Sequence, residues 1–288
     1  MRNIASCYNE HAIKVTDSYC SNPSNQVQYH IPSVENVVTC IYKVKISTEK
    51  QFLIKITWCS LLQQGLFSIS ISDKFTKNYK KILSTDKSKG SKITESFSSR
   101  FNIFWDLSSA TYEVGPELIN GYFVKVLVNS EVGLILGDMG QEIEQKISNI
   151  DDKKSRFVLV SRREHFSGSS VFTTKAKFCD TGKCHDIVIK NSSAILFVWI
   201  DRKSVIEVRR LQWNFRGNQT IFLDGLVVDM MWDVHDWLFN PKNGCAIFMF
   251  RTRSGLDSRL WLEEKNLEQK GEEKVAFSLV ICATKNPD

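Results

Sequence analysis

Apolar residues recur at every second position through most of this chain, a period that suits a pleated strand with one buried face and not a helix. In CIYKVKI, residues Cys40, Tyr42, Val44 and Ile46 share a face while Lys43 and Lys45 take the other. FLIKITW carries Phe52, Ile54, Ile56 and Trp58 on one side, and LFSISIS sets Phe67, Ile69 and Ile71 against serines. RFNIFWDL aligns Phe101, Ile103 and Trp105, and GYFVKVLVN aligns Tyr122, Val124, Val126 and Val128. VFTTKAKF, HDIVIK, AILFVWID, SVIEVRRLQW, LVVDMMWDV and CAIFMFRT continue the pattern between turn signals. Helical spacing is confined to GQEIEQKISNI (140–150) and WLEEKNLEQKGEE (261–273).

The two halves follow one order. KVKI, LIKI, LFSISISD, FNIFWDL and GYFVKVLVN in the first correspond to KAKF, IVIK, LFVWID, VDMMWDV and GCAIFMFRT in the second, with Trp-Asp at the same place in each. The expectation is a mainly β protein, an antiparallel sandwich or barrel of two similar β units with few short helices. It divides into a polar arm over 1–36, a first unit with a linking helix over 37–150, and a second unit over 151–288 packed against the first.

With 42% apolar residues, eighteen Phe and seven Trp, the chain has enough apolar surface to offset the entropy of ordering its backbone. The formal charge of +6 is concentrated: Lys74, Lys77, Lys80, Lys81, Lys87, Lys89 and Lys92 face one Asp within 74–92, and the rest of the chain is neutral. No apolar run is long enough to cross a bilayer, and the first residues lack a signal-like core, so the expected compartment is cytoplasmic or nuclear. The eight Cys are scattered, as suits reduced thiols better than a disulfide framework.

Four local features are candidate sites. In MWDVHDWLF, His235 beside Asp236 has the groups of an acid/base pair, but in an extended chain neighbours point apart. Trp105 and Trp232 are expected to end a core-facing row, with Asp106 and Asp233 accepting backbone N–H groups where each strand turns away. In FCDTGKCHD, a two-residue loop at Thr181 and Gly182 would set Cys179 opposite Cys184. That pair is a candidate for thiol oxidation or, with His185, for part of a metal site, against an ordinary hairpin. The lysines of 74–92 suit phosphate or lipid headgroups, against the simpler reading of a solvated loop. EVRRLQWNFRGN offers Arg209, Arg210, Trp213, Phe215 and Arg216 as a base-stacking surface, against an exposed strand with Trp213 buried. No nucleotide loop, dinucleotide fingerprint, nucleophile elbow or zinc-protease helix is present.

VVTCIYKVKI from 37, FWDLSSATYEVGPELINGYFVKV from 104, SRREHFSGSSVFTTKAKFCDTGKCHDIVI from 161 and WNFRGNQTIFLDGLVVDMMWDVHDWLF from 213 together resemble the plant family catalogued as domain of unknown function 868 (DUF868). The resemblance implies a plant source and brings no catalytic residues. The expected function is therefore non-enzymatic binding of a protein partner, an adaptor role with no cofactor. The alternatives are a carrier or enzyme using a barrel cavity, and binding of an anionic surface, nucleic acid or lipid headgroups, through Lys74 to Lys92.

Overall fold

The structure is a computed structural model, and it describes residues 37–61, 64–73, 78–112, 115–139, 156–168, 170–179, 182–192, 194–240, 244–253 and 276–285. The arm over 1–36, both expected helices, Lys74 and Lys77 lie outside these residues.

Strands β1 (Val37–Lys45), β2 (Gln51–Leu61), β3 (Gln64–Asp73) and β4 (Lys80–Thr85) form a meander. The chain then changes layer into β5 (Lys89–Ser96) and β6 (Ser99–Asp106), passes the two-stranded excursion of β7 (Thr111–Tyr112) and β8 (Leu118–Asn120), and returns as β9 (Phe123–Val128) and β10 (Glu131–Leu136). After β11 (Arg156–Ser167), strands β12 (Val171–Ala176), β13 (His185–Asn191), β14 (Ile195–Ile200) and β15 (Lys203–Arg209) make a second separate layer. The chain ends in β16 (Arg216–Leu223), β17 (Leu226–Asp233), the short helix α1 (His235–Phe239), β18 (Cys245–Thr252) and β19 (Ser278–Thr284).

One nine-stranded sheet, in the order β16-β17-β18-β19-β11-β1-β2-β3-β4, spans both halves, and two four-stranded sheets, β10-β9-β6-β5 and β12-β13-β14-β15, pack on it. The sheets are open, so the fold is a sandwich and not a closed barrel. All pairs are antiparallel except β11 with β19, which run parallel; the alternation of side chains cannot distinguish the two, because both have a period of two.

The alternating rows become two cores. Phe52, Ile54, Ile56, Ile69 and Ile71 meet Phe101, Ile103, Val124 and Val126 in one. Phe172, Ile187, Ile189 and Val198 meet Val228, Phe248, Phe250 and Leu279 in the other. Edge-to-face contact of Phe52 with Phe101 at 5.3 Å, and the approach of Phe172 to Phe248 at 5.8 Å, lock the layers together.

Between the cores, on the face that both share, β11 carries charge. Arg162, registered against Cys40 on one side and Leu279 on the other, donates from Nε to Glu164 at 2.6 Å and pairs through Nη1 with Glu117 at 2.5 Å. Thr174 Oγ1 donates to the same Glu164 oxygen at 2.7 Å. Burial alone would lower the Arg162 guanidinium's pKa, but Glu117 and Glu164 outweigh it and hold the pKa above its ordinary value. Replacing Arg162 by Ala leaves a buried Glu164 uncompensated, so we expect a loss of about 3–5 kcal/mol in urea denaturation.

The layer changes are pinned alike in both halves. Trp105 Nε1 donates to the Lys87 carbonyl at 3.0 Å and Trp232 Nε1 to the Asn214 carbonyl at 2.9 Å, each across eighteen positions of sequence. Each indole lies over a glycine registered opposite it, Gly90 or Gly217, where an added Cβ would fall into the ring. We expect Gly90→Ala and Gly217→Ala each to cost about 1–3 kcal/mol by overpacking; thermal melts read through tryptophan emission check this, and a variant as stable as the parent would refute it.

Candidate functional site

The layer change from β15 to β16 builds the most distinctive surface. β15 ends at Arg209, and Arg210 turns the chain in the left-handed region at φ 52°. Leu211, fully buried, anchors the turn to Ala194 through its backbone N–H at 2.9 Å. The N–H groups of Trp213 and Asn214 both donate back to the Arg210 carbonyl, at 2.8 and 3.1 Å, and the Asn214 side chain donates to the Arg209 carbonyl at 2.9 Å. This tight knot leaves Trp213 at its apex, 82% exposed. The expectation that Trp213 is buried is therefore wrong: the anchoring position is taken by Leu211.

Beside the knot lies an open cleft of about 780 Å³, floored by Gly217 and Trp232 and rimmed by Arg209, Arg210, Arg216 and Asn218. Arg209 pairs with Glu207 and Arg216 with Asp233, each at 2.7 Å, and the Arg216 guanidinium lies 5.7 Å from the Phe215 ring centre. Among the described residues no carboxylate reaches salt-bridge distance of Arg210. The cleft runs between β15 and β16, the edge strands of their sheets among the described residues, so backbone N–H and C=O groups border it as well.

The corresponding corner of the first half holds the lysines. Where 74–92 is described, the chain is mostly strand and not the solvated loop of the simpler reading: Lys80 and Lys81 begin β4, Lys89 and Lys92 lie on β5, and Lys87 sits in the bend between them. Lys89 pairs with Asp106 at 2.8 Å as Arg216 does with Asp233. Asp106 also accepts the Ser108 N–H at 3.1 Å, as Asp233 accepts that of His235 at 3.1 Å. The Lys89 hydrogen bond, with those of Ser108, holds the Asp106 carboxyl at about 2.

The Cys179–Cys184 hairpin is wider than expected. Its last registered pair is Ala176 with His185, so both cysteines fall in the connection and are not cross-strand neighbours. Neither forms a disulfide. His185 is 2% exposed and has both ring nitrogens engaged, Nδ1 with Asp201 at 2.8 Å and Nε2 with Asp224 at 2.9 Å. Asp201 and Asp224 open the two-residue turns β14–β15 and β16–β17, with φ of 49° and 48°, so the imidazole ties three hairpins. Among the described residues no group of three or more His, Cys, Asp or Glu is arranged to hold a metal ion.

His235 and Asp236 are brought together, contrary to the extended-chain argument, because residues 235–239 form a helical turn: Nδ1 lies 2.9 Å from Asp236 Oδ1. The ring packs between Phe215 and Phe239, with centroids 5.2 and 5.1 Å away. Cys245 Sγ donates to Asp236 Oδ2 at 4.0 Å, which puts the carboxylate, not the imidazole, in the middle. That order does not make a thiol nucleophile with an adjacent base.

Sequence reasoning missed the buried group at the seam, although the alternation Arg162, Glu164 within a strand already places two charges on one face. Cys40 and Tyr122 border it; burial pushes the Cys40 thiol and the Tyr122 phenol up to about 12 each, and Glu117 adds to both. Both stay protonated at neutral pH, so neither supplies a nucleophile there.

An open two-layer β protein with a basic, aromatic edge is the class that this fold and corner define. The chain belongs to the family described as Plant protein of unknown function (DUF868), whose model matches residues 33–285. No curated protein matches it. Among solved structures, kievitone hydratase from Nectria haematococca is similar at 10% identity over 76% of this chain and 85% of that one, with a TM-score of 0.28. Among the described residues no helix is long and apolar enough to cross a membrane.

Hydrogen bonds from His185 lower the carboxyl pKa values of Asp201 and Asp224. A lowered carboxyl contributes stability that is present above the ordinary carboxylate range and is lost as pH falls through the lowered value. We expect His185→Ala to lower the urea midpoint at pH 7 and the difference from the parent to shrink in acid, below pH 4; a difference that grows in acid would contradict the clamp.

Proposed function

We propose that this is a non-enzymatic intracellular binding protein, of the cytosol or nucleus, whose contact surface is the β15–β16 corner. The observation that carries the reading is Trp213, 82% exposed at the apex of a turn whose backbone is fixed by four hydrogen-bonded contacts. A large indole held outward on a rigid knot gains most from a partner that covers it, and tryptophan and arginine are the residues that most often dominate contact energies. Preorganisation means that little ordering cost is left for the moment of binding.

A carrier with an internal cavity would need its tryptophans to converge. Trp58 stacks on Phe67 at 4.6 Å in the first core, with Trp105 in that core too; Trp232 lies in the second, and Trp199 stacks on Phe197 at 5.3 Å on the face of β14 turned away from the core. They divide among three environments, which supports the binding reading over the carrier.

The test compares the full chain with Trp213→Ala and Arg210→Ala as baits in plant extract, with co-eluting proteins and nucleic acids identified. Both substitutions are at exposed positions, so we expect the melting temperature to hold and the specific partner to fall by roughly ten-fold or more, as for a contact hot spot. Partners retained equally by parent and variants would show that this corner is not the contact surface.

A further inference from the structure

We infer that the ligand of this surface is a single-stranded nucleic acid, held by stacking on Trp213 at the β15–β16 corner and by phosphate contact at both that corner and the β4–β5 corner. The inference rests on the binding reading above and names its ligand.

The chemistry at the first corner is selective for bases. An indole with its faces in water stacks on any nucleobase, whatever the sequence. Arg210, with no carboxylate at salt-bridge distance among the described residues, presents a planar fork that matches a phosphate. Asn218, exposed on β16, has an amide for a base edge. An acidic peptide would use the cations but has no flat ring for Trp213. A duplex would not use the indole either, because its bases are already stacked.

The second corner argues for a polymer. Lys87 in the bend and Lys92 on β5 are exposed at the other layer change, built on the same tryptophan-to-carbonyl pin, and Lys80 and Lys81 are exposed at the opposite end of the edge strand β4. They lack an aromatic apex and so suit phosphates alone. β4 and β16 are the two edges of the nine-stranded sheet. Eight interstrand steps of ~4.8 Å separate them by roughly 40 Å along the sheet. No mononucleotide spans that; a single strand that keeps its bases stacked at the ~3.4 Å spacing of a duplex strand needs about a dozen nucleotides. Once one corner is occupied, the second binds intramolecularly, so affinity should rise steeply with length.

Fluorescence anisotropy of the full chain with labelled oligouridylates of 6, 12 and 24 nucleotides tests this at two salt concentrations. The expected result is a 24-mer bound at least ten-fold tighter than the 6-mer, weakening as salt rises. Trp213→Ala should weaken every length by about 5- to 150-fold, the range of one lost stacking contact. Changing Lys80, Lys81, Lys87 and Lys92 together to Gln should collapse the 24-mer affinity toward that of the 6-mer. Affinity independent of length, no effect of Trp213→Ala, or tighter binding of a poly-glutamate peptide than of the 24-mer would each overturn the inference. If no oligonucleotide binds while Trp213→Ala still loses a captured protein, the ligand class is wrong and the binding surface stands; if both experiments are blind to Trp213, both fail.

Discussion

Strand β11 determines how the rest of the chain can pack. It pairs with β1 antiparallel and with β19 parallel, and so joins two meanders into one sheet where each would otherwise end in an open edge. The join has a cost that the residues at the seam meet. Leu159 packs against both cores, but two residues of the same strand on the shared face are Arg162 and Glu164, and a lone charge there would be prohibitive. Glu117, reaching in from the β7–β8 excursion, and Thr174, from β12, complete the set. One partner comes from each half, so the charges can be satisfied only when both are in register. A polar junction of this kind is weak as a source of stability and effective as a specification of which surfaces meet.

The same constraint explains where exposed function can reside. A sandwich changes layer at its corners, and in this chain the β4–β5 and β15–β16 corners are each fixed from within by an indole N–H and a glycine that lets the ring lie close on the backbone. With the corner's backbone held, its outward side chains need contribute nothing to folding. That is why a tryptophan can stand in water at 213, and a lysine at 87 in the other bend, without loss of the fold. Rigid scaffolds with variable loops place recognition on such segments.

Much of this was legible in the sequence because alternation reports burial directly: the rows Phe52 to Trp58, Phe67 to Ile71, Phe101 to Trp105 and Val124 to Val128 are buried as their spacing requires. What was not legible depends on partners far along the chain. Trp213 reads as core by composition, and only the burial of Leu211 two residues earlier turns it outward. His185 looked like a companion of Cys184, but its partners, Asp201 and Asp224, come from two other turns. The His235–Asp236 contact required a helical turn of five residues, too short for any periodicity to reveal. The parallel pairing of β11 with β19 leaves no local mark at all.

The placement of reactive groups bears on the proposed binding role more directly than sequence motifs do. Acid/base and nucleophilic work needs a titrating group that water or substrate can reach, with its partner ordered behind it. Here the groups with ordered partners are the enclosed ones: His185 has both nitrogens spent on carboxylates, and Cys40 is buried with its thiol pushed to about 12. His235, part-exposed, has its carboxylate beside it and the rings of Phe215 and Phe239 packed against it. At the β15–β16 corner the side chains that water reaches are an indole, guanidinium groups, an amide and the Glu207 carboxylate, which is engaged by Arg209. A surface made of such groups is suited to recognising shape, charge and flat rings, which is what the proposed binding role requires.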